Sequence, residues 1–179
     1  MIRLTAPSSS DLDEVMRAAS TASPTHPGDG TFNRFAFDEV VGHGALDFKE
    51  AKTLLRRWQM HRGAGVHVQP VPLAVGTDVV LWTKALGLSL VFACRITDVI
   101  DNESTFGFTY ATLPGHPEQG VESFRLELDG EEVHLHITGE SRPALLLNKL
   151  SGPIGPILQK RFIQKYATAV RSGIRAANP

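Results

Sequence analysis

Residues 157–177, ILQKRFIQKYATAVRSGIRAA, decide the fold. Read at 3.6 residues per turn, Leu158, Phe162, Tyr166, Ala169, Val170, Gly173 and Ile174 fall on one arc. Lys160, Arg161, Gln164, Lys165, Thr168, Arg171 and Arg175 fall on the other. Pro153 and Pro156 suit a helix start and exclude an interior position, because proline lacks the donor that an inner turn needs. Such a helix is about 32 Å long at 1.5 Å per residue. Its apolar stripe needs a partner surface of similar length.

The residues upstream supply one. Residues 31–41 alternate, with Phe35 and Phe37 on one face and Val41 continuing it. A helix follows, opened by Asp47 with Glu50 in a capping-box spacing, carrying Phe48, Ala51, Leu55 and Trp58 and stopped by Gly63 and Gly65. Strands are predicted over 66–68, 78–86, 88–100, 105–111, 122–128 and 133–137. In 88–100, Leu90, Phe92, Cys94 and Ile96 oppose Val91, Ala93 and Arg95. In 122–128, Phe124, Leu126 and Leu128 oppose Ser123, Arg125 and Glu127. Asp129-Gly130 marks a hairpin, and Val133, Leu135 and Ile137 continue beyond it. Short connections with tight turns mean an antiparallel meander and exclude parallel crossover units. Six or seven strands at about 4.8 Å spacing span roughly the length of the terminal helix. The expected fold is α+β: a curved antiparallel sheet of six to seven strands wrapped on one long C-terminal helix, the helix-grip order. Each large apolar residue buried between the layers contributes about 1.5–3 kcal/mol, so truncating Phe162 is expected to be severely destabilising.

At 179 residues, 42% apolar and 21% charged, the chain has the make-up of one ordinary globular domain. The domain is placed at residues 31–177. Residues 1–30 read as a weakly packed lead-in: Ser10 or Asp11 caps a short helix with Leu12, Val15, Met16 and Ala19 on one stripe, and SPTHPGDG breaks regular structure. No apolar run approaches the ~20 residues of a membrane span, and the N-terminus has no signal-like apolar stretch. Integral membrane association is therefore not expected. The lone Cys94 excludes an internal disulfide and suits a reducing cytoplasm, with the thiol buried and inert in its strand. From Ser141 onward there are seven basic residues and no acid, against 11 basic and 19 acidic before it. That polarity reads either as a field for an anionic partner or as a solvated helix face suited to the helix dipole.

The block FGFTYATLPGHPEQGVESF (106–124), preceded by ACRITDVI (93–100) and followed by GESRP (139–143) and a helix carrying GPI, Gln, Tyr and Arg, resembles DUF1990, a family named only for its unknown function. The resemblance covers most of residues 30–175. It implies grouping with the START-like, birch-pollen-allergen-like (SRPBCC, Bet v 1-like) proteins, binders of apolar or amphipathic small molecules with some cyclases and hydrolases among them. It brings no catalytic residues to carry over.

Residues 105–122 hold the expected site. Phe106, Phe108 and Tyr110 make the apolar face of a strand that ends in Pro114, Gly115, His116, Pro117 and Glu118. An imidazole and a carboxylate fixed by two prolines suit the mouth of a pocket, and equally a rigid turn. His116 with Glu118 or Glu122 is a candidate acid–base pair, because imidazole titrates near neutrality. Arg95, mid-strand among apolar residues, needs a partner: a carboxylate such as Glu122, or a ligand anion. Tyr110 and Trp82 either line a cavity with a polar tip or pack in the core. Arg142 either reaches a ligand head group or clamps the loop before a short apolar turn at 144–150. His134 and His136, two apart on one strand face, make half a metal site. Their face is opposite to Val133, Leu135 and Ile137, so they are read as solvent-facing, and with no second cluster at ligand spacing no metal is expected. No cofactor is expected either: GxGxxG, P-loop and G-x-S-x-G are lacking, and GPIGP is too poor in donors to cradle a phosphate. The aromatics do not interleave with a basic strand face, which argues against nucleic acid. The leading expectation is a binder of a hydrophobic or amphipathic small molecule held between sheet and terminal helix, through Trp82, Arg95, Phe108, Tyr110, His116, Glu118, Glu122 and Arg142. A cyclase, hydrolase or isomerase on the same cavity is the rival. A ligand-free interaction domain is the third reading.

Overall fold

A computed structural model describes residues 1–24, 32–85, 87–143 and 154–178. In chain order the elements are β1 (Ile2–Arg3), α1 (Ser9–Ser20), β2 (Asn33–His43), α2 (Gly44–Arg56), α3 (Gln59–Gly63), β3 (Val66–Val68), β4 (Asp78–Ala85), β5 (Leu88–Asp101), β6 (Thr105–Thr112), β7 (Glu118–Asp129), β8 (Glu132–Pro143) and α4 (Ile154–Ala177). One antiparallel sheet runs β2-β8-β7-β6-β5-β4-β3, with β1 added against β5. The alternation of apolar residues sets the register: Phe37, Ile137, Phe124, Phe108 and Val99 form one cross-strand row on the concave face. A slip of one residue would send that row to the other face.

Helix α4 buries Ile163, Tyr166, Ala167, Val170 and Ile174. Phe162 is only half-buried; Ile163 takes the core position, so the severe cost expected of truncating Phe162 belongs to its neighbour. The described part of α4 rests on α2, α3 and the edge strand β2, while α2 in turn touches β6, β7 and β8. Two glycines allow this close stacking. A Cβ on Gly63 would lie 2.6 Å from the Cβ of Ala169, and one on Gly173 would lie 2.6 Å from a methyl of Leu54.

The predicted single helix over the Asp47–Gly63 region is two. It starts a turn early at Gly44, and Asp47 Oδ2 accepts from the His43 amide at 2.8 Å. It breaks at Trp58, whose φ is 58°. A left-handed tryptophan is strained and persists only where its surroundings fix it. Here the indole is 1% exposed, packs edge-on to Phe108 at 5.1 Å, and donates from Nε1 to the Val71 carbonyl at 3.2 Å.

The N-terminal segment is better anchored than a loose lead-in. Ser8, not Ser10 or Asp11, caps α1, in a reciprocal capping box with Asp11. Ala19 of α1 joins Val80, Val91, Ala93 and Leu113 in a small second core on the convex face. Residues 25–30 of the lead-in, the turn at 144–150 and the GPIGP start lie wholly or partly outside the described residues. No helix among the described residues is long and apolar enough to cross a membrane.

Candidate functional site

Toward the proline loop, the concave face changes from aromatic to polar. The row Phe37, Ile137, Phe124, Phe108 and Val99 is apolar throughout; the next is Phe35, Gly139, Glu122, Tyr110 and Ile96. Beyond it stand Gly120, Thr112 and Cys94, with the Gly120 amide donating to Thr112 Oγ1 at 3.1 Å. Gly139 makes room beside Glu122 for the ring of Phe35, which a Cβ there would approach to 2.4 Å and displace.

Tyr110 donates its hydroxyl to Glu122 Oε2 at 2.7 Å. Burial pushes the Glu122 carboxyl up to about 7; the Tyr110 bond pulls back and Glu118 adds repulsion. Glu122 is also the nearby charge that, after burial, holds the Cys94 thiol and the Tyr110 and Tyr166 phenols in their neutral forms. Behind this group sits His61, 1% exposed. Its ring meets Trp58 at 4.9 Å, Phe124 at 5.0 Å, Tyr166 at 5.0 Å and Tyr110 at 6.2 Å. Among the described residues neither ring nitrogen has a hydrogen-bond partner. Burial lowers its pKa to about 3, so the imidazole is neutral. A neutral imidazole still has one donor and one acceptor, and leaving such groups unmade costs about 1–3 kcal/mol.

The aromatic part of the concavity is filled by these side chains. Half-buried apolar groups border the core at Phe35, Phe37, Val71, Leu73 and Phe92, and Glu122 is itself half-buried. Two surface grooves lie elsewhere: one of about 360 Å³ lined by Leu54, Lys165 and Ser172, another of about 410 Å³ lined by Arg57, Arg62 and Pro70.

The residues singled out in the sequence thus part company. Phe108, Tyr110 and Glu122 come together. His116 and Glu118 stay in the adjoining loop: His116 Nδ1 lies 2.8 Å from the Glu118 carbonyl oxygen and 3.0 Å from the Glu118 amide, its tautomer deciding which bond forms, and its ring meets Phe92 edge-on at 4.6 Å. Desolvation lowers the His116 pKa to about 4. With Nδ1 engaged by its own loop, His116 is a clamp on the strand end and a weak base. Arg142 donates to Gln119 Oε1 at 2.9 Å and lies over Phe32, 5.0 Å from the ring centre.

Two expectations need correction. Arg95 does not meet Glu122, because its side chain leaves the other face of β5. It pairs with Asp78 at 2.6 Å and donates to the carbonyls of Ala22 and Ala19 at 2.9 and 3.0 Å, tying down the end of α1. Trp82 is likewise convex and stacks on His67 at 3.8 Å. Sequence reasoning missed His61 and Tyr166 as polar members of the concave cluster. Their only signal was a titratable or phenolic group on an apolar helix face. It also missed Asp38, which stands beside His134 and His136 on the convex face.

A sheet curled around helices, with a polar end to an aromatic concavity, defines the helix-grip class. The 12%-identical Zhui aromatase/cyclase from Streptomyces sp. R1128 shares the fold at TM-score 0.61, covering 83% of this chain and 97% of that one. Ara h 8.0201 does so at TM-score 0.58 with 12% identity, over 82% of this chain and 99% of that one. Within the class, residues 15–169 match the family described as a domain of unknown function, DUF1990, and the chain belongs to that family. A UPF0548 protein of Deinococcus radiodurans is 33% identical over 150 residues, 76% of this chain and 74% of that relative.

Proposed function

We propose that the concave face around Glu122 binds a hydrophobic or amphipathic small molecule whose polar atom is held by Glu122 and Tyr110. The observation that carries this is a carboxyl–phenol pair 2.7 Å apart, half-buried at Glu122 and buried at Tyr110, set at the end of an aromatic concavity beside an imidazole with no hydrogen-bond partner among the described residues. Ligand sites have this composition: mostly apolar walls with a few convergent polar groups. The half-buried Phe35, Phe37 and Phe92 would take the apolar body. The shared fold with a protein described as an aromatase/cyclase supports a ligand-holding concavity. A buried, reduced Cys94 supports a cytoplasmic setting.

The test uses Trp58 as a reporter. The chain has two tryptophans, so a Trp82→Phe variant isolates the one packed against His61. Titration with a panel of aromatic phenols and medium-chain alcohols is expected to give a saturable change in its emission. Glu122→Gln is expected to weaken hydroxyl-bearing members tenfold or more and to leave their hydroxyl-free analogues unchanged. No saturable response across the panel would sink the proposal.

A second reading is favoured by the setting of Glu122, bonded to Tyr110 in the concavity, where burial carries its carboxyl up to about 7. A carboxyl tuned to neutrality is suited to general acid or base work on a bound substrate. On that reading Glu122→Gln keeps binding and loses turnover.

A further inference from the structure

We propose that Asp38, His134 and His136 form a binding site for a divalent ion of the zinc class on the convex face of the sheet, remote from the Glu122 concavity. His134 and His136 alternate with Val133, Leu135 and Ile137, which are fully buried, so both rings stand on the outer face. The β2–β8 register sets Asp38 directly across from His136 and Val40 across from His134. A carboxylate 96 residues away in the chain therefore completes what the two histidines begin.

The atoms converge. His134 Nδ1 is 2.9 Å from Asp38 Oδ1, and His136 Nδ1 is 3.2 Å from Oδ2. One ligand atom from each residue lies within 4.8 Å of the other two. Zinc takes nitrogen at about 2.0–2.1 Å and carboxylate oxygen at about 2.0–2.2 Å, so tetrahedral ligands sit somewhat over 3 Å apart. The two His–Asp distances lie within a few tenths of an ångström of that, and side-chain rotation has to draw the widest pair of ligand atoms, now within 4.8 Å, toward it. Asp38, with 53% of its side chain exposed, has the freedom to do so.

The far side of each ring is also furnished. His134 Nε2 faces Glu132 at 3.3 Å and His136 Nε2 faces Glu127 at 3.6 Å. At 3.3 Å the Glu132 carboxylate is near enough to hold a proton on the outer nitrogen of His134, the tautomer that leaves its inner nitrogen free to ligate, whereas the 3.6 Å contact at His136 is too long for a hydrogen bond. The two rings lie nearly parallel, 11° apart at 5.7 Å. Asp38, Glu127 and Glu132 bring three negative charges, of which Arg125 offsets one through its ion pair with Glu127. Two imidazoles with one carboxylate suit zinc, nickel or copper, whereas magnesium and calcium prefer oxygen alone. Three protein ligands leave a fourth position open to solvent.

Isothermal titration of the untagged full chain with Zn²⁺, and separately with Mg²⁺, tests the site. The expected result is 1:1 binding of Zn²⁺ without binding of Mg²⁺. His136→Gln and Asp38→Asn are each expected to weaken Zn²⁺ at least tenfold. Glu132→Gln, which touches no metal, is expected to weaken it about tenfold through the outer nitrogen of His134. Imidazole resonances of His134 and His136 should shift on Zn²⁺ addition while that of the buried His61 stays put. All the substituted positions are on the outer face, and unchanged circular dichroism establishes that each variant is folded. Zn²⁺ binding absent from the native chain, or equal in native and His136→Gln protein, overturns the proposal.

Discussion

Replacing Glu122 by glutamine is expected to stabilise the protein above neutrality and to erase a pH dependence that the native chain shows. The carboxyl, ordinarily at 4.5, is carried up to about 7 in the folded state, chiefly by burial. The folded protein therefore holds this proton more tightly than the unfolded chain does. Its contribution is fully present below the ordinary value, fades as pH rises, and is lost by the time pH passes the folded value near 7. At about 1.36 kcal/mol per tenfold difference, the gap corresponds to at most about 3 kcal/mol. Glutamine has nearly the same shape, keeps an oxygen for the Tyr110 hydroxyl and never ionises. In a chain of this size, about 3 kcal/mol moves the melting temperature by roughly 6–12 °C. Urea denaturation of native and Glu122→Gln protein at a series of pH values from about 4 to 8 measures it. The two stabilities should nearly coincide at the acid end, and the variant should lead by up to that amount at the alkaline end. Parallel pH profiles would refute the assignment of a buried, proton-hungry carboxyl at this position.

Three further outcomes are expected. Phe124→Ala removes the ring shared by Phe108, Tyr110, His61 and Tyr166, and should cost about 3–5 kcal/mol in urea denaturation. Arg95→Met strands Asp78 and the carbonyls of Ala19 and Ala22 at and just past the end of α1; it should speed amide exchange in residues 9–20 while leaving ligand affinity at Glu122 unchanged. His61→Leu relieves an imidazole that has no hydrogen-bond partner among the described residues and should raise stability by about 1–3 kcal/mol, yet weaken ligand binding, the trade expected of a polar group kept for function.

The sheet and terminal helix were legible because their apolar periodicities are long and unbroken. Val133, Leu135 and Ile137 need only a period of two, and Tyr166, Val170 and Ile174 only a helical one. The strands adjoining the proline loop read shorter than they are: β7 starts at Glu118 and β8 runs to Pro143. Gly120 and Gly139 there carry no β propensity; they stand where backbone or the Phe35 ring crowds the space a Cβ would take, and the ladder to the neighbouring strands carries the extension that local sequence does not signal. The break at Trp58 left no trace in the sequence, since a left-handed residue is signalled by glycine or asparagine, not by tryptophan. The site was half legible for a related reason. Phe108, Tyr110 and Glu122 lie on adjacent strands of one hairpin, so local alternation puts them together. That Arg95 required a carboxylate was readable, but the choice between Asp78 and Glu122 depends on which face of β5 the side chain leaves. His61 and Asp38 reach their clusters through helix placement and a pairing between distant strands, which composition and spacing do not encode.

Native mass spectrometry of the protein purified gently from its own host tests the central claim most directly. A discrete added mass of small-molecule size on the native chain, diminished in His61→Leu and Glu122→Gln preparations, is the predicted result. A bare polypeptide mass in every preparation, with no small molecule taken up when the aromatic and alcohol panel is added, would contradict the account.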